Sequence, residues 1–353
     1  DLSEGSVNFD ESAVNFDESA KVSVDLMAAE LLMDDMKHAF GNFSQLAYTS
    51  ENDSSSELLE RPQKKGRLGY VFLTSEGFRF PKMWNAYFKQ LPKDSYRVYI
   101  HASEGMKKTG LNFDFEVVPH TESRWCNIYG VMMKSYETVL KDKDVYGVLM
   151  VSDGHVPLKS PNLIHQSASQ SKKSIFPGFC NPGCHSSPWT YMLRDDAEFL
   201  VEDYKTPRAK LIVERLSTWA GWKSPGWEKT IPKELSTYGC PGEVYHLYSL
   251  YVGERRDHVD FESKTCQATF FPEKDGLKPS EYTGMDGSKH PATFTNIQRS
   301  TWEKQKKSRF WFTRKCTDET KVVMTKDYTL PVEEVVRNQI LNTNLKGDAK
   351  FWL

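Results

Sequence analysis

Short apolar segments alternate with helical patterns over the middle of the chain, and this alternation restricts the fold more than any other feature. Gly69–Ser75, Tyr96–Ser103, Phe115–Pro119 and Tyr146–Asp153 are rich in β-branched and aromatic residues, as buried parallel strands are. Between the first two, Pro81–Gln90 carries apolar residues at helical spacing. Strands that alternate with helices predict an α/β fold, with an open, mostly parallel sheet and flanking helices.

Polar residues follow three of the predicted strands. Thr74 ends the first strand, His101 lies at the end of the second, and Asp153 and His155 end the fourth. Ligands of open α/β sheets bind beyond the carboxyl ends of the strands. We therefore expect a binding site at this edge, where Asp153 either binds a ligand hydroxyl or forms a turn.

The later part of the chain has a less regular pattern. Ser187-Pro188 resembles an N-cap and first turn, and predicts a helix with Trp189 on its apolar stripe. A last helix is expected from Pro331 to before Gly347. Three further strands are expected, at Lys264–Phe271, Pro291–Phe294 and Arg309–Cys316.

Residues 1–66 differ in composition from the predicted folded domain at 67–353. The unit VNFDESA occurs in tandem at Val7–Ala13 and Val14–Ala20, and an amphipathic helix is predicted around Val24–Phe40. Polar, repetitive, acidic sequence is typical of a flexible stem. The alternative is that this helix docks a partner protein.

Charge and hydropathy exclude two classes of partner. The chain has 353 residues and a formal net charge of -2, without a long block of Lys or Arg, so a nucleic-acid partner is not expected. No apolar run reaches the roughly 18 residues of a membrane span. Attachment to a membrane is expected only through an anchor outside this sequence, as in a type II membrane protein.

The cysteines and two Asn-x-Ser triplets favour the oxidising lumen of the secretory pathway. Six cysteines permit disulfides, with 15 possible full pairings. Asn42 and Asn52 are the predicted glycosylation sites. Cys180, Cys184 and His185 resemble half of a zinc site, but no second pair with ligand spacing follows them, so no metal is predicted there.

Several short segments follow one another in a recognisable order between Leu68 and Cys316. They are YVFLT, YIHAS, a helix bearing Trp125, VLMVSDGHVPL, SPWTYMLRDDAEFLVED, GCPGEVYHLY, SKHPATFT and WFTRKC. This order resembles that of one family of sugar-transferring enzymes, the core-2/I-branching β-1,6-N-acetylglucosaminyltransferases, and within it the plant-type members.

This resemblance implies a GT-A-like fold and an inverting transfer, in the Golgi, from a UDP-sugar to a glycan or glycoprotein hydroxyl. The sugar expected is N-acetylglucosamine. Glu243 corresponds to the glutamate that acts as the family's general base. Basic side chains replace a metal opposite the leaving diphosphate. The predicted donor-binding residues are Thr74, His101, Lys289, Arg314 and Lys315, and the predicted acceptor-binding residues are Asp153 and Trp189.

A metal-dependent transferase is a less favoured interpretation. Such enzymes hold their cation with an Asp-x-Asp motif, and Asp142-Lys143-Asp144 lies before the fourth predicted strand rather than after it. We expect a solvated loop there, and no cofactor besides the donor substrate.

Three departures from the family pattern leave a second function open. The acidic pair before His-Tyr is reduced to Gly242-Glu243, Trp-Gly becomes Trp125-Cys126, and a Ser-Glu-Ser-Cys turn becomes Ser152–His155. The alternative is a catalytically inactive relative that acts as a structural or glycan-binding protein. Trp219, Trp222 and Trp227 suit either an acceptor cleft or packing.

Overall fold

The computed structural model describes most of the chain from residue 64 onward. The described residues are 64–75, 77–106, 110–123, 127–180, 184–220, 240–260, 267–269, 277, 279–283 and 291–342. Residues 1–63 of the predicted stem, with its helix and both glycosylation sites, lie outside them. The proposed division at residue 67 therefore stays a prediction.

Within the described residues there are sixteen strands, β1 to β16, and eight α-helices, α1 to α8. The strands are Arg67–Thr74, Tyr96–Ala102, Glu116–Val117, Val145–Ser152, Val156–Pro157, Ser174–Ile175, Gly178–Cys180, Cys184–Ser186, Tyr191–Leu193, Val259–Asp260, Gln267–Thr269, Tyr282–Thr283, Thr293–Gln298, Phe312–Arg314, Cys316–Thr325 and Tyr328–Pro331. The helices are Pro81–Phe88, Tyr129–Val139, Pro161–Gln170, Arg194–Tyr204, Pro207–Ala220, Pro241–Val252, Arg299–Lys307 and Val332–Gln339. No described helix has the length and apolarity that crossing a bilayer requires.

The central sheet has seven strands in the order β10-β6-β9-β4-β1-β2-β3. Strand β1 pairs in parallel with both β2 and β4, and β2 pairs in parallel with β3. Only β9 runs against its neighbours β4 and β6. The expectation of an open, mostly parallel α/β sheet is thus confirmed.

Alternation along each strand gives the sheet two apolar faces. In β1, Val71 belongs to one buried cluster, which also contains side chains of α2, α4, α5 and α6. Tyr70 and Phe72 belong to the other cluster, with α1, α3, α7 and α8. Side chains of successive strand residues point to opposite faces, so a continuously apolar strand needs helices on both. The molecule therefore has three layers, with the sheet in the middle.

Two smaller sheets extend the domain near the carboxyl edge of the large one. Strand β14 pairs with β5 in antiparallel register, with Thr313 opposite Val156. Strands β12, β13, β15 and β16 form a separate sheet. Because β5 directly follows the turn after β4, its pairing with β14 carries Arg314 and Lys315 to the end of the central sheet.

The prediction that a helix begins at Ser187-Pro188 is wrong for the first turn and a half of that helix. Tyr191–Leu193 forms β9, which pairs with β4, and the helix begins only at Arg194. The Tyr191 hydroxyl donates to the carbonyl of Ala168 at 2.8 Å and its ring is fully buried. Pairing with the central sheet therefore outweighs the local N-cap pattern.

The other predicted elements differ mainly at their ends. Of the expected strand at Lys264–Phe271, only Gln267–Thr269 lies in the described part of the chain. The strand expected at Arg309–Cys316 divides into β14 and the start of β15, and the one at Pro291–Phe294 begins two residues later and runs to Gln298. The last helix ends at Gln339.

Candidate functional site

Polar residues collect where β1 and β4 end, at the edge predicted from the sequence. Thr74 is the last residue of β1, is 6% exposed, and its Oγ1 has no hydrogen-bond partner in the described structure. Asp153 follows β4 directly, and its backbone N–H donates to the carbonyl of Leu73 on β1. The two strand ends are thus joined at the point where the binding site was expected.

Asp153 forms an ion pair that sequence reasoning missed. Arg79, in the loop before α1, donates from Nε to Oδ2 of Asp153 at 3.1 Å. Burial raises the pKa of Asp153, while the positive charge of Arg79 acts in the opposite direction. Arg79 precedes a helix and lies in no recognised motif, so no local signal distinguishes it from a surface arginine.

Arg314 lies at the end of β14 and packs over an aromatic ring. Its guanidinium carbon is 4.9 Å from the ring centroid of Trp189. Burial lowers the pKa of Arg314 to about 10, and the carboxylates of Glu243 and Asp153 oppose that shift. The side chain therefore remains a cation at neutral pH, yet its Nε has no hydrogen-bond partner in the described structure.

Lys315 lies beside the turn after β4. A Cβ at Gly154 would stand 3.1 Å from the carbonyl oxygen of Cys316 and 3.4 Å from Cγ of Lys315, so this close approach of two chain segments favours glycine. Partial desolvation and the neighbouring charge of Arg314 lower the pKa of Lys315, whereas Asp153 raises it. Among the described residues Lys315 forms no ion pair, so its ammonium is available to a ligand.

Glu243 lies in the first turn of α6, where a carboxylate is favoured by the helix dipole. Its side chain is 38% exposed, and Oε2 is 3.4 Å from Nε2 of His185 on β8. The Glu243 charge is also felt by Arg314. Glu243 therefore faces the same site as the basic residues rather than the apolar core.

The acid missing before Glu243 has a packing explanation. Gly242 is buried, and a Cβ there would approach Cγ1 of Ile128 to 2.9 Å. An aspartate at this position would need the Ile128 side chain to shift.

Disulfide-bonded cysteines adjoin both segments that carry this pair. Cys184, directly before His185, and Cys240, the N-cap of α6, are both disulfide-bonded. The backbone N–H of Glu243 donates to the carbonyl of Cys240 at 2.8 Å. Cys316, by contrast, is a buried free thiol.

We call Arg79, Asp153, Glu243, Arg314 and Lys315 the strand-end cluster. It holds three cations and two carboxylates, and one of those carboxylates is already paired with Arg79. Among the described residues, two cations therefore remain without a carboxylate that binds them directly, a charge pattern suited to an anionic ligand.

Trp189 packs below this cluster instead of presenting a ring to solvent. It is 8% exposed, with Arg314 over the ring and His155 at its edge, 5.1 Å away. His155 is fully buried, and its Nδ1 accepts from the backbone N–H of Ser152 at 2.9 Å. The geometry does not support sugar stacking on Trp189, whose ring instead supports the guanidinium.

His101 has a local partner as well. It is 2% exposed, and its Nε2 accepts from the backbone N–H of Thr121 at 3.2 Å. Burial lowers its pKa, so the ring is neutral at physiological pH. Its predicted role in donor binding stays a prediction.

Other candidates fall elsewhere. Asp142 and Asp144 lie at the amino end of β4, the opposite end from the strand-end cluster, and Asp142 pairs with Arg67 at 2.8 Å. Within the described residues no three His, Cys, Asp or Glu side chains are grouped as metal ligands would be. Lys289, Trp125, Trp222, Trp227, Asn42 and Asn52 lie outside the described residues, as does the side chain of Trp219.

A cavity of about 1020 Å³ also lies away from the cluster. Its lining includes Lys89, Lys93, Tyr96 and Arg97, around the start of β2. This cavity is therefore at the amino edge of the sheet. The chemistry-bearing residues are at the carboxyl edge, which we take as the candidate site.

Comparison with known proteins adds no assignment, since no protein-family model and no curated protein matches the chain.

Proposed function

We propose that the chain is an inverting glycosyltransferase, which moves a sugar from a nucleotide donor to a glycan hydroxyl without a metal ion. One observation carries the proposal. A half-exposed carboxylate, Glu243, and two cations without direct carboxylate partners, Arg314 and Lys315, meet beyond the carboxyl ends of the central strands. The resemblance to the core-2/I-branching family supplies the donor class, UDP-N-acetylglucosamine.

Each of these charged side chains has one role in the proposed reaction. Glu243 takes the proton of the acceptor hydroxyl while that oxygen attacks the anomeric carbon. The bond from the anomeric carbon to the diphosphate breaks on the opposite face, and its electron pair leaves with the nucleotide. Arg314 and Lys315 stabilise the negative charge that develops on the diphosphate.

The sheet topology supports a GT-A-like interpretation. Four parallel strands followed by one antiparallel strand place β1 and β4 at the centre, with the strand-end cluster beyond them. Nucleotides commonly bind at this place in open α/β sheets. The topology alone does not assign a reaction, because one fold hosts many functions.

Disulfides support a luminal location. Cys184 and Cys240 are both bonded, and structural disulfides persist mainly in oxidising compartments. A secretory-pathway enzyme, expected in the Golgi, fits this requirement.

The rival function is a glycan-binding protein without turnover. The Arg79–Asp153 ion pair favours it, because a carboxylate held by arginine at 3.1 Å is less available to a substrate. Glu243 favours the enzyme, since its only described ionic contact is the longer one with His185.

Donor screening separates the two. UDP and a panel of UDP-sugars are titrated into the protein by calorimetry, and transfer to water and to a panel of benzyl glycosides is followed by product formation. Tight UDP binding with an inverted product supports the transferase. Binding of free glycans with no affinity for any UDP compound would support the rival.

A further inference from the structure

We propose that His185 is a positioning residue for Glu243, which holds the Glu243 carboxylate in the orientation that takes the proton from the hydroxyl of the acceptor glycan. The inference rests on the proposed function and deepens it, because it assigns a role to a side chain that the sequence analysis considered only as a zinc ligand. His185 Nε2 lies 3.4 Å from Glu243 Oε2. This contact is longer than an ordinary hydrogen bond, as expected of a catalytic contact before substrate binds.

The two side chains lie on two segments that each carry a disulfide-bonded cysteine. His185 is on β8, the second strand of a hairpin in which Phe179 opposes it. Disulfide-bonded Cys184 precedes it, and disulfide-bonded Cys240 caps the helix that carries Glu243. The relative position of imidazole and carboxylate is therefore defined by the backbone on both sides.

Two further groups lie close enough to act on this pair, Arg314 and His246. Arg314, from β14, attracts the Glu243 carboxylate across the site. His246 lies one turn further along α6, is fully buried, and stacks on Phe176. Burial lowers the pKa of His246 to about 3, and the charge of His185 acts in the same direction. His246 is thus neutral and adds no competing charge.

The need for positioning follows from the competition between His185 and Arg314. A glutamate side chain has a soft terminal torsion, so its carboxylate rotates easily unless a partner holds it. Rotation towards Arg314 would pair the base with a cation that the proposed reaction needs for the diphosphate. An imidazole N–H that closes this 3.4 Å contact when substrate binds would occupy one oxygen and leave the other to face the acceptor.

The test compares three variants with the parent, in UDP-N-acetylglucosamine transfer to water and to benzyl glycosides. His185→Ala removes the imidazole N–H that would donate to Glu243. We expect kcat to fall about 10- to 100-fold, the usual cost of a lost hydrogen bond to a charged group. The KM for the donor and the calorimetric affinity for UDP should not change. His185→Gln supplies an amide N–H in a similar place and should recover most of the lost rate.

A double variant distinguishes positioning from a general structural role. If His185 acts only through Glu243, His185→Ala in a Glu243→Gln background should lower kcat no further, within about twofold. A matched control is His258→Gln, since His258 Nδ1 makes a similar 3.3 Å contact with Asp196 outside the site. That control should leave kcat unchanged.

The inference is overturned if His185→Ala turns over like the parent, if Gln restores nothing, or if the two single losses multiply in the double variant. In each of these cases the proposed function would still hold if the Glu243→Gln protein is inactive. A parent that neither binds UDP nor forms product defeats the proposed function, and the inference with it.

Discussion

Two charged clusters among the described residues differ in how completely their polar atoms are paired. The Asp196 cluster lies around the first residue of β6 and consists of Ser174, Asp196, Arg255 and His258. Asp196 is fully buried and accepts from Ser174 Oγ at 2.5 Å and from Arg255 Nε at 2.7 Å. In the strand-end cluster, Arg314 Nε is buried without a partner in the described structure and Lys315 has no carboxylate bound to it.

This difference separates a structural role from a binding role. A buried carboxylate whose bonds are all made contributes rigidity, whereas a buried donor without an acceptor costs free energy. Proteins retain such a cost where a ligand later supplies the missing partner. The contrast therefore points to the strand-end cluster as the functional one.

The largest expected effect is on catalysis at the strand-end cluster. Glu243→Gln keeps the shape of the side chain and removes its basicity, so kcat should fall by about 10²–10⁴. UDP affinity measured by calorimetry should remain unchanged. Glu202→Gln, which alters a 71% exposed carboxylate on α4, is the control. A Glu243→Gln protein that transfers sugar normally would mean that the base lies elsewhere, with Asp153 as the next candidate.

The next effect is on stability, and it should appear in the other cluster. Asp196→Asn leaves the Arg255 guanidinium without its charged partner, and breaking a buried ion pair typically costs about 3–5 kcal/mol. Because Arg255 is 22% exposed, we expect the free energy of unfolding to fall by about 3 kcal/mol. Chemical denaturation measures this change.

Asp153→Asn is the matching substitution in the strand-end cluster and should change stability far less. Because burial raises the pKa of Asp153 in the folded protein, the folded state binds its proton more tightly than the unfolded state. Stability therefore falls as pH rises from the unfolded pKa through the folded one, and the charged form is a burden at neutral pH. The neutral amide should shift the free energy of unfolding at pH 7 by less than about 1 kcal/mol. A loss as large as that of Asp196→Asn would remove the distinction between the clusters.

A smaller effect is expected from a single cation of the site. Lys315→Ala removes a positive charge opposite the diphosphate, so UDP should bind roughly tenfold more weakly, and kcat should fall as well. Lys205→Ala, at a 56% exposed lysine paired with Glu202, should change neither quantity. Equal UDP affinity in the parent and in Lys315→Ala would place the diphosphate elsewhere.

The smallest effect should come from removal of divalent metal. In the proposed reaction Arg314 and Lys315 take the role that a metal ion has in metal-dependent transferases, so transfer with excess chelator should match the untreated rate. A large loss that manganese restores would show that an ion is required after all.

The α/β class and the edge of the site follow from local pattern. Continuous apolar runs such as Gly69–Ser75 and Tyr146–Asp153 need helices on both faces, and only a few topologies provide them. Polar residues directly after those runs must then lie at the carboxyl edge. Thr74 and Asp153 were predictable for this reason.

Local pattern did not predict where the helix after Ser187 begins. It also did not predict the partners of the site residues. β9 replaces the first turns of that helix because Tyr191 joins the sheet between β4 and β6, a contact across more than forty residues of sequence. Arg79 meets Asp153 for a similar reason, since the loop before α1 returns over the end of β4.

By itself the sequence determined the class of fold and the edge of the sheet at which polar residues collect, because each depends on local periodicity or on one short segment. Only the tertiary structure decided that Arg314 lies over Trp189, that Arg79 holds Asp153, and that His185 faces Glu243. Those contacts arise from pairings between distant segments, β14 with β5 and the β7–β8 hairpin beside α6. The free energy of such pairings depends on packing and desolvation across the whole domain, to which no local pattern is sensitive.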